Sequence, residues 1–96
     1  MLDFDLPITE LRNMVRISSD ALDNELNTLQ EAFLLDIERA GVQTIPEDTA
    51  LVESCLRLYL RWQENYNGEA DRYMRNYMLL RNALAQAREY KKAGGA

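Results

Sequence analysis

The sequence predicts an all-α fold: a small four-helix bundle with one short N-terminal helix, three longer helices and a flexible C-terminal tail. Three observations predict it. Apolar side chains recur at helical spacing along most of the chain. Helix-stopping signals stand between these stretches, at Gly41 with Pro46 and at Asn67-Gly68. No segment shows the alternation of a half-buried strand.

The first helix opens after Pro7, since proline is tolerated in a first turn. It carries Ile8, Leu11, Met14 and Val15 at helical spacing and ends near Arg16-Ile17. Ser18-Ser19-Asp20 reads as an N-cap cluster, because short side-chain oxygens accept from free backbone N–H groups. The second helix then runs from about Asp20 to Ala40 on one stripe of Leu22, Leu26, Leu29, Phe33, Ile37 and Ala40. Asp23 and Glu25 place negative charge where the helix dipole favours it. Gly41 is the natural residue to close this helix, and Val42 and Ile45 read as plugs for the end of the core.

Pro46 forbids continuation and Asp48 is suited to cap the next helix. That third helix reads from about Thr49 to Asn65, with Val52, Cys55, Leu56, Tyr59, Trp62 and Tyr66 on one stripe. Leu51, Leu58 and Leu60 lie off it, so the apolar arc is wide. Such a helix is central in its domain or touches a second body. The fourth helix reads from about Glu69 to Glu89 on a seam of Ala70, Tyr73, Tyr77, Leu80, Leu84 and Ala87, widened by Met74, Met78 and Leu79. Residues 90–96 read as a disordered tail of the free subunit.

Composition narrows the function. A chain of 96 residues makes one domain, since domains usually run about 100–150 residues. No stretch approaches the ~18 uncharged apolar residues of a membrane span. The start Met1-Leu2-Asp3-Phe4-Asp5 is acidic where a signal peptide needs positive charge, and one cysteine makes no internal disulfide. These features predict an intracellular, soluble protein. With no histidine, the usual general base and the commonest metal ligand are missing. Cys55 lies on an apolar stripe, the place of a small buried hydrophobe rather than a nucleophile. Asp36 and Glu38 diverge on a helix, while Glu47 and Asp48 belong to a helix start. None of the glycines sits in a phosphate-cradling pattern. No enzyme activity, catalytic residue, cofactor or metal is expected.

The net charge of −5 is unevenly spread. Residues 1–50 hold three bases against eleven acids, and residues 51–96 eight bases against five acids. From Arg72 to Lys92 the only acid is Glu89. A polarised chain attracts copies of itself or a charged partner over about a Debye length, ~8–10 Å. Sequence-specific DNA reading fits poorly. The connection from Gly41 to Glu47 is longer than a helix-turn-helix turn, and the third helix opens on Thr49, Ala50, Leu51 and Val52 and carries Glu53. The aromatics Tyr59, Trp62, Tyr66, Tyr73 and Tyr77 bracket the last turn. Most such rings bury inside, but Trp and Tyr are also enriched as interface anchors. The residues expected at a subunit or partner interface are Leu58, Leu60, Trp62, Arg72, Arg75, Arg88, Lys91 and Lys92.

From Pro7 to about Tyr90 the order of these features resembles the small head–tail connector, adaptor or head-completion proteins of tailed bacteriophages. The resemblance rests on several segments. They are Val15-Arg16-Ile17, the acidic start from Ser18 to Leu26, Asp36-Ile37-Glu38-Arg39-Ala40-Gly41-Val42, and Ile45-Pro46-Glu47-Asp48-Thr49-Ala50-Leu51-Val52. Leu58-Tyr59 and Ala70-Asp71-Arg72-Tyr73-Met74-Arg75-Asn76-Tyr77 with Leu80 and Leu84 complete it. It implies a structural, non-enzymatic virion or prophage protein at the head–tail interface, present in host cytoplasm during assembly. Copies would form a ring, dodecameric in the virion, under the portal protein. The ring would extend the channel through which packaged double-stranded DNA passes without sequence-specific binding, and would dock the next connector or tail protein. The resemblance also implies that the C-terminal segment with Arg88, Lys91 and Lys92 engages the portal. The competing expectation is a non-viral helical-bundle interaction module. A membrane partner is not expected.

Overall fold

A computed structural model describes residues 2–92. Among them are four α-helices: α1 (Ile8–Met14), α2 (Asp23–Ala40), α3 (Ala50–Gln63) and α4 (Ala70–Gln86), with single 3₁₀ turns at Tyr66–Gly68 and Arg88–Tyr90. No strand occurs among the described residues. The all-α bundle is the fold that the apolar spacing predicts. It is elongated, with extents of 44 × 26 × 19 Å.

The bundle is organised around α3. This helix packs against α1, α2 and α4, which explains its wide apolar arc. Val52, Cys55, Leu56 and Leu60 are completely buried, and Tyr59 nearly so. From the other helices come Leu11, Leu26, Phe33, Ile37, Tyr77 and Leu84, which close one continuous core. Val42 is buried and Ile45 packs on the core from the following loop. Four rings cluster at its centre: the Tyr59 and Tyr77 centroids lie 5.1 Å apart, Phe33 and Tyr59 5.8 Å, and Trp62 and Tyr77 5.8 Å. Offset and tilted ring pairs contribute beyond their buried area.

Two helix ends close by the same device. After α2, Gly41 takes φ 125° and its N–H donates to the Glu38 carbonyl, while the Val42 N–H donates to that of Ile37. This pair of bonds satisfies carbonyls that the helix leaves free. After α1, Arg16 takes the equivalent place at φ 55°; its N–H donates to the Asn13 carbonyl and that of Ile17 to Arg12. A residue with a Cβ pays about 1–2 kcal/mol for this left-handed conformation. The motif ends α1 at Met14, earlier than the apolar pattern suggests.

The start of α2 differs from expectation. Ser18-Ser19-Asp20 does not cap it. The Ser19 hydroxyl accepts from the Ala21 N–H and the Asp20 carbonyl from the Asp23 N–H. These residues spend their acceptors on a local turn, the alternative that such side chains offer the backbone. Asp23 instead receives the Arg12 guanidinium, with Nε 2.8 Å from Oδ1. At α3 the Asp48 carboxylate does accept from the Ala50 N–H at 3.0 Å.

The C-terminal end is also different. α4 stops at Gln86 rather than Glu89, because Ala87 turns extended, at φ −77° and ψ 138°. That bend returns Tyr90 to the core, where it is 1% exposed. The Tyr90 carbonyl accepts from the N–H groups of Gln43 (2.8 Å) and Thr44 (3.3 Å). The expected tail from residue 90 is therefore held as far as Lys92, and its last part, residues 93–96, lies outside the described residues.

Candidate interaction surfaces

The residues expected at an interface fall into three groups. Leu60 is completely buried, so its place is in the core and not on a surface. Leu58 and Trp62 are half-buried and pack against the same core. Trp62 meets Tyr59 edge-on at 5.6 Å. The aromatic bracket around the last turn is thus mainly interior. Tyr73 and Tyr77 are buried, and Tyr66 is half-buried against Tyr73 at 6.0 Å. The Arg61 guanidinium stacks over Tyr66, 4.6 Å from the ring centroid, and donates through Nε to the Met14 carbonyl at 2.8 Å.

The basic residues are exposed, but α4 holds them apart. Arg72 and Arg75 lie in its first turns, while Arg88 follows its C-terminal end, about 20 Å further along at helical rise. Arg72 pairs with Glu69 and lies over Tyr73 at 5.3 Å. At the far end the backbone N–H of Lys92 donates to the Gln43 side chain at 3.0 Å. Lys91 Nζ donates to the Gly41 carbonyl at 2.8 Å. A Cβ on Gly41 would lie 3.3 Å from that ammonium nitrogen, a contact the flexible lysine can relieve, so it is the φ of 125° that favours glycine there. The depression beside them, of about 370 Å³, is lined by Glu38, Gly41, Val42, Gln43, Lys91 and Lys92. Another, of about 390 Å³, runs over the start of α4 from Asn65 to Arg75. Most residues lining them are charged or polar and both lie open to solvent, unlike the enclosed apolar pockets that hold small molecules.

Sequence reasoning missed the polar groups that tie the layers together. Asp36 turns toward α4, where it accepts from the Tyr77 hydroxyl at 2.5 Å and from Arg81 Nη1 at 3.1 Å. Burial, reinforced by the bond to Asp36, pushes the Tyr77 phenol well above its usual pKa. The Cys55 thiol is pushed up to about 12 by burial, which keeps it a protonated, inert hydrophobe. Gln30, 3% exposed, holds the segment before α1. Its Oε1 accepts from the Leu6 N–H at 2.9 Å, and its Nε2 donates to Asp5 Oδ1 at 3.1 Å and the Leu6 carbonyl at 3.3 Å. A glutamine on an otherwise apolar stripe is the signal that would have marked it.

Two carboxylates respond to pH in opposite ways. The hydrogen bond from Arg12 holds Asp23 below the usual carboxylate range. Burial, then the hydrogen bond and charge of Glu25, pushes Glu64 up to about 7. Glu64 Oε1 is buried without a partner among the described residues.

The apolar surface lies elsewhere than expected. Among the large hydrophobics, Leu79 is 72% exposed, Leu51 50% and Leu35 45%, with Met78 just exposed. Met78 and Leu79 therefore do not widen the buried seam of α4. The signal was present: Leu79 lies about 200° around the helix from buried Tyr77. No helix among the described residues is long and apolar enough to cross a membrane, and no cluster of three or more His, Cys, Asp or Glu side chains suited to a metal occurs among them. Comparison with protein-family models, curated proteins and solved structures finds no match to this chain.

Proposed function

We propose that this chain is a non-enzymatic structural subunit of a bacteriophage or prophage head–tail connector. In that role it forms a ring under the portal protein, extends the DNA channel after packaging and docks the next connector or tail protein. The observation that carries the reading is the resemblance in feature order from Pro7 to Tyr90. The surface agrees with it: charge is polarised between halves, and one leucine on each of α2, α3 and α4 stands in water. A closing ring needs two different complementary surfaces on each copy, and this polarity supplies them. The acidic excess suits a channel wall that DNA slides past, since strong duplex binding requires clustered cations facing the phosphates. The site of action is the virion, after assembly in host cytoplasm.

The portal-facing part is the end carrying Arg88, Lys91 and Lys92. Residues 90–92 are already tied to the loop after α2, so portal contact adds to a held segment rather than ordering all of it. The test is electron microscopy of the concentrated protein, alone and mixed with the portal protein of the same genome. Closed rings coaxial with the portal are expected. Protein that neither forms rings nor binds the portal overturns the reading and favours a non-viral helical interaction module. Hydrogen exchange tests the portal-facing end: no added protection after Leu84 on portal binding removes that assignment.

A further inference from the structure

The outer faces of α2 and α4 share one design, an exposed leucine flanked by charge that is basic on α4 and mainly acidic on α2. On α4, Leu79 is the most exposed large hydrophobic side chain among those described. Arg75 stands four residues before it, Arg72 one turn earlier and Asn82 three residues after, all exposed. On α2, Leu35 is half exposed, with Glu31 four residues before it, Glu38 three after and Arg39 four after, all exposed, so the acids lead this face two to one. Each leucine sits nearly opposite the buried stripe of its helix: Phe33 and Ile37 on α2, Tyr77 and Leu84 on α4. The two helices meet along their flanks, where Asp36 bonds Tyr77 and Arg81. Their outer faces therefore point away from the shared core and cannot meet within one copy.

We propose that the α4 face centred on Leu79 docks the α2 face centred on Leu35 of a second copy of this chain, Arg72 and Arg75 lying against the acidic edge of α2. The proposal rests on the ring reading and supplies its interface. The contact is heterologous, since each copy offers one face and receives the other, so it propagates until a ring closes. A single helix-on-helix contact belongs to the small end of specific interfaces, below about 1,200 Å². Association in solution is accordingly weak and concentration-dependent. Opposite charges on the two faces also select against pairing α4 with α4 or α2 with α2.

Analytical ultracentrifugation of Leu35→Arg and Leu79→Glu tests the interface. Both positions are exposed and both replacements are good helix formers, so the fold is kept; thermal melts by circular dichroism check this. Each variant alone is expected to lose self-association by at least tenfold. An equimolar mixture is expected to form dimers and stop there, because one native interface remains between an intact α4 face and an intact α2 face. Wild-type association that survives both substitutions overturns the face assignment and leaves the ring reading standing. Single variants that block association but a mixture that gives no dimer overturn the heterologous pairing. A wild-type chain that stays monomeric at millimolar concentration overturns the proposal, while portal-seeded ring formation remains the separate measure of the ring reading.

Discussion

The α3–α4 hairpin and the N-terminal part of the chain are held by different physics. Between α3 and α4 lie rings and aliphatic side chains: Tyr59, Trp62 and Tyr77 meet one another at tilted angles, Phe33 of α2 meets Tyr59 and Tyr77, and Leu56, Leu60 and Leu84 fill the remainder. The N-terminal part adds polar attachments to its share of the core. The Gln30 amide holds residues 5 and 6, the Arg12 guanidinium holds Asp23, and Arg61 reaches the Met14 carbonyl. The lesson is that one region should respond to lost volume and the other to lost hydrogen bonds, while pH acts on both, through Asp23 at the start of α2 and Glu64 at the end of α3. In both, the outward surface is left for other contacts.

The largest effect should come from the hairpin. Tyr77→Ala removes a fully buried ring and leaves the Asp36 carboxylate with only Arg81. A loss of about 4 kcal/mol is expected, in the range of large-to-small core substitutions, read by urea denaturation. If Tyr77→Phe costs nearly as much, the hydroxyl rather than the ring is the main contributor and the contrast between the regions weakens. Next is Gln30→Ala, which strips three hydrogen bonds from the N-terminal segment. About 2 kcal/mol is expected, with faster hydrogen exchange confined to the Leu6 amide and its neighbours. Exchange that rises equally across α3 and α4 would show that the segment is not a separate attachment.

Glu64→Gln tests the pH response where the hairpin, at the end of α3, meets Glu25 of α2. A carboxyl whose folded pKa is raised holds its proton longer in the folded chain than in the unfolded one. Stability therefore falls as pH rises from the usual glutamate value toward about 7. Solvent screening of this half-buried group reduces the effect to about 1 kcal/mol, which the variant should recover above neutral pH. A wild-type stability profile flat between pH 5 and 8 contradicts it. Asp23 works the other way: its contribution is present above the usual aspartate pKa and disappears as acid protonates it through its lowered value. The smallest effect is expected from Arg16→Gly, which relieves the left-handed turn after α1. A gain of about 0.5–1 kcal/mol in stability follows, visible as a rise in Tm.

The helices were legible in the sequence to within a few residues, and their ends less so. The apolar stripes of α2 and α3 and the closing role of Gly41 follow from local chemistry. The early stop of α4 does not, since nothing local to Ala87 demands an extended backbone; the burial of Tyr90 against the loop after α2 does. Likewise Ser18-Ser19-Asp20 has the chemistry of a cap, but its acceptors close a local turn, the Ser19 hydroxyl taking the Ala21 N–H and the Asp20 carbonyl that of Asp23. The candidate interface was legible in its charges and not in its leucines. Leu60 reads as surplus apolar surface on α3, yet α3 is enclosed by three other helices and buries it. Leu79 reads as an addition to the buried seam of α4 and stands in water instead, and Leu35, which lies off the apolar stripe of α2, does too.

The sequence by itself determined the all-helical class, the inner stripe of each long helix, the Gly41 and Asn67-Gly68 turns and the division of charge between halves. These depend on spacing and residue type over a few turns. Tertiary structure decided which off-stripe leucines face water, which carboxylates change their protonation and where the C-terminal segment returns to the core. Those outcomes depend on what lies across the bundle, and a residue's neighbours in space are set only when all four helices have packed.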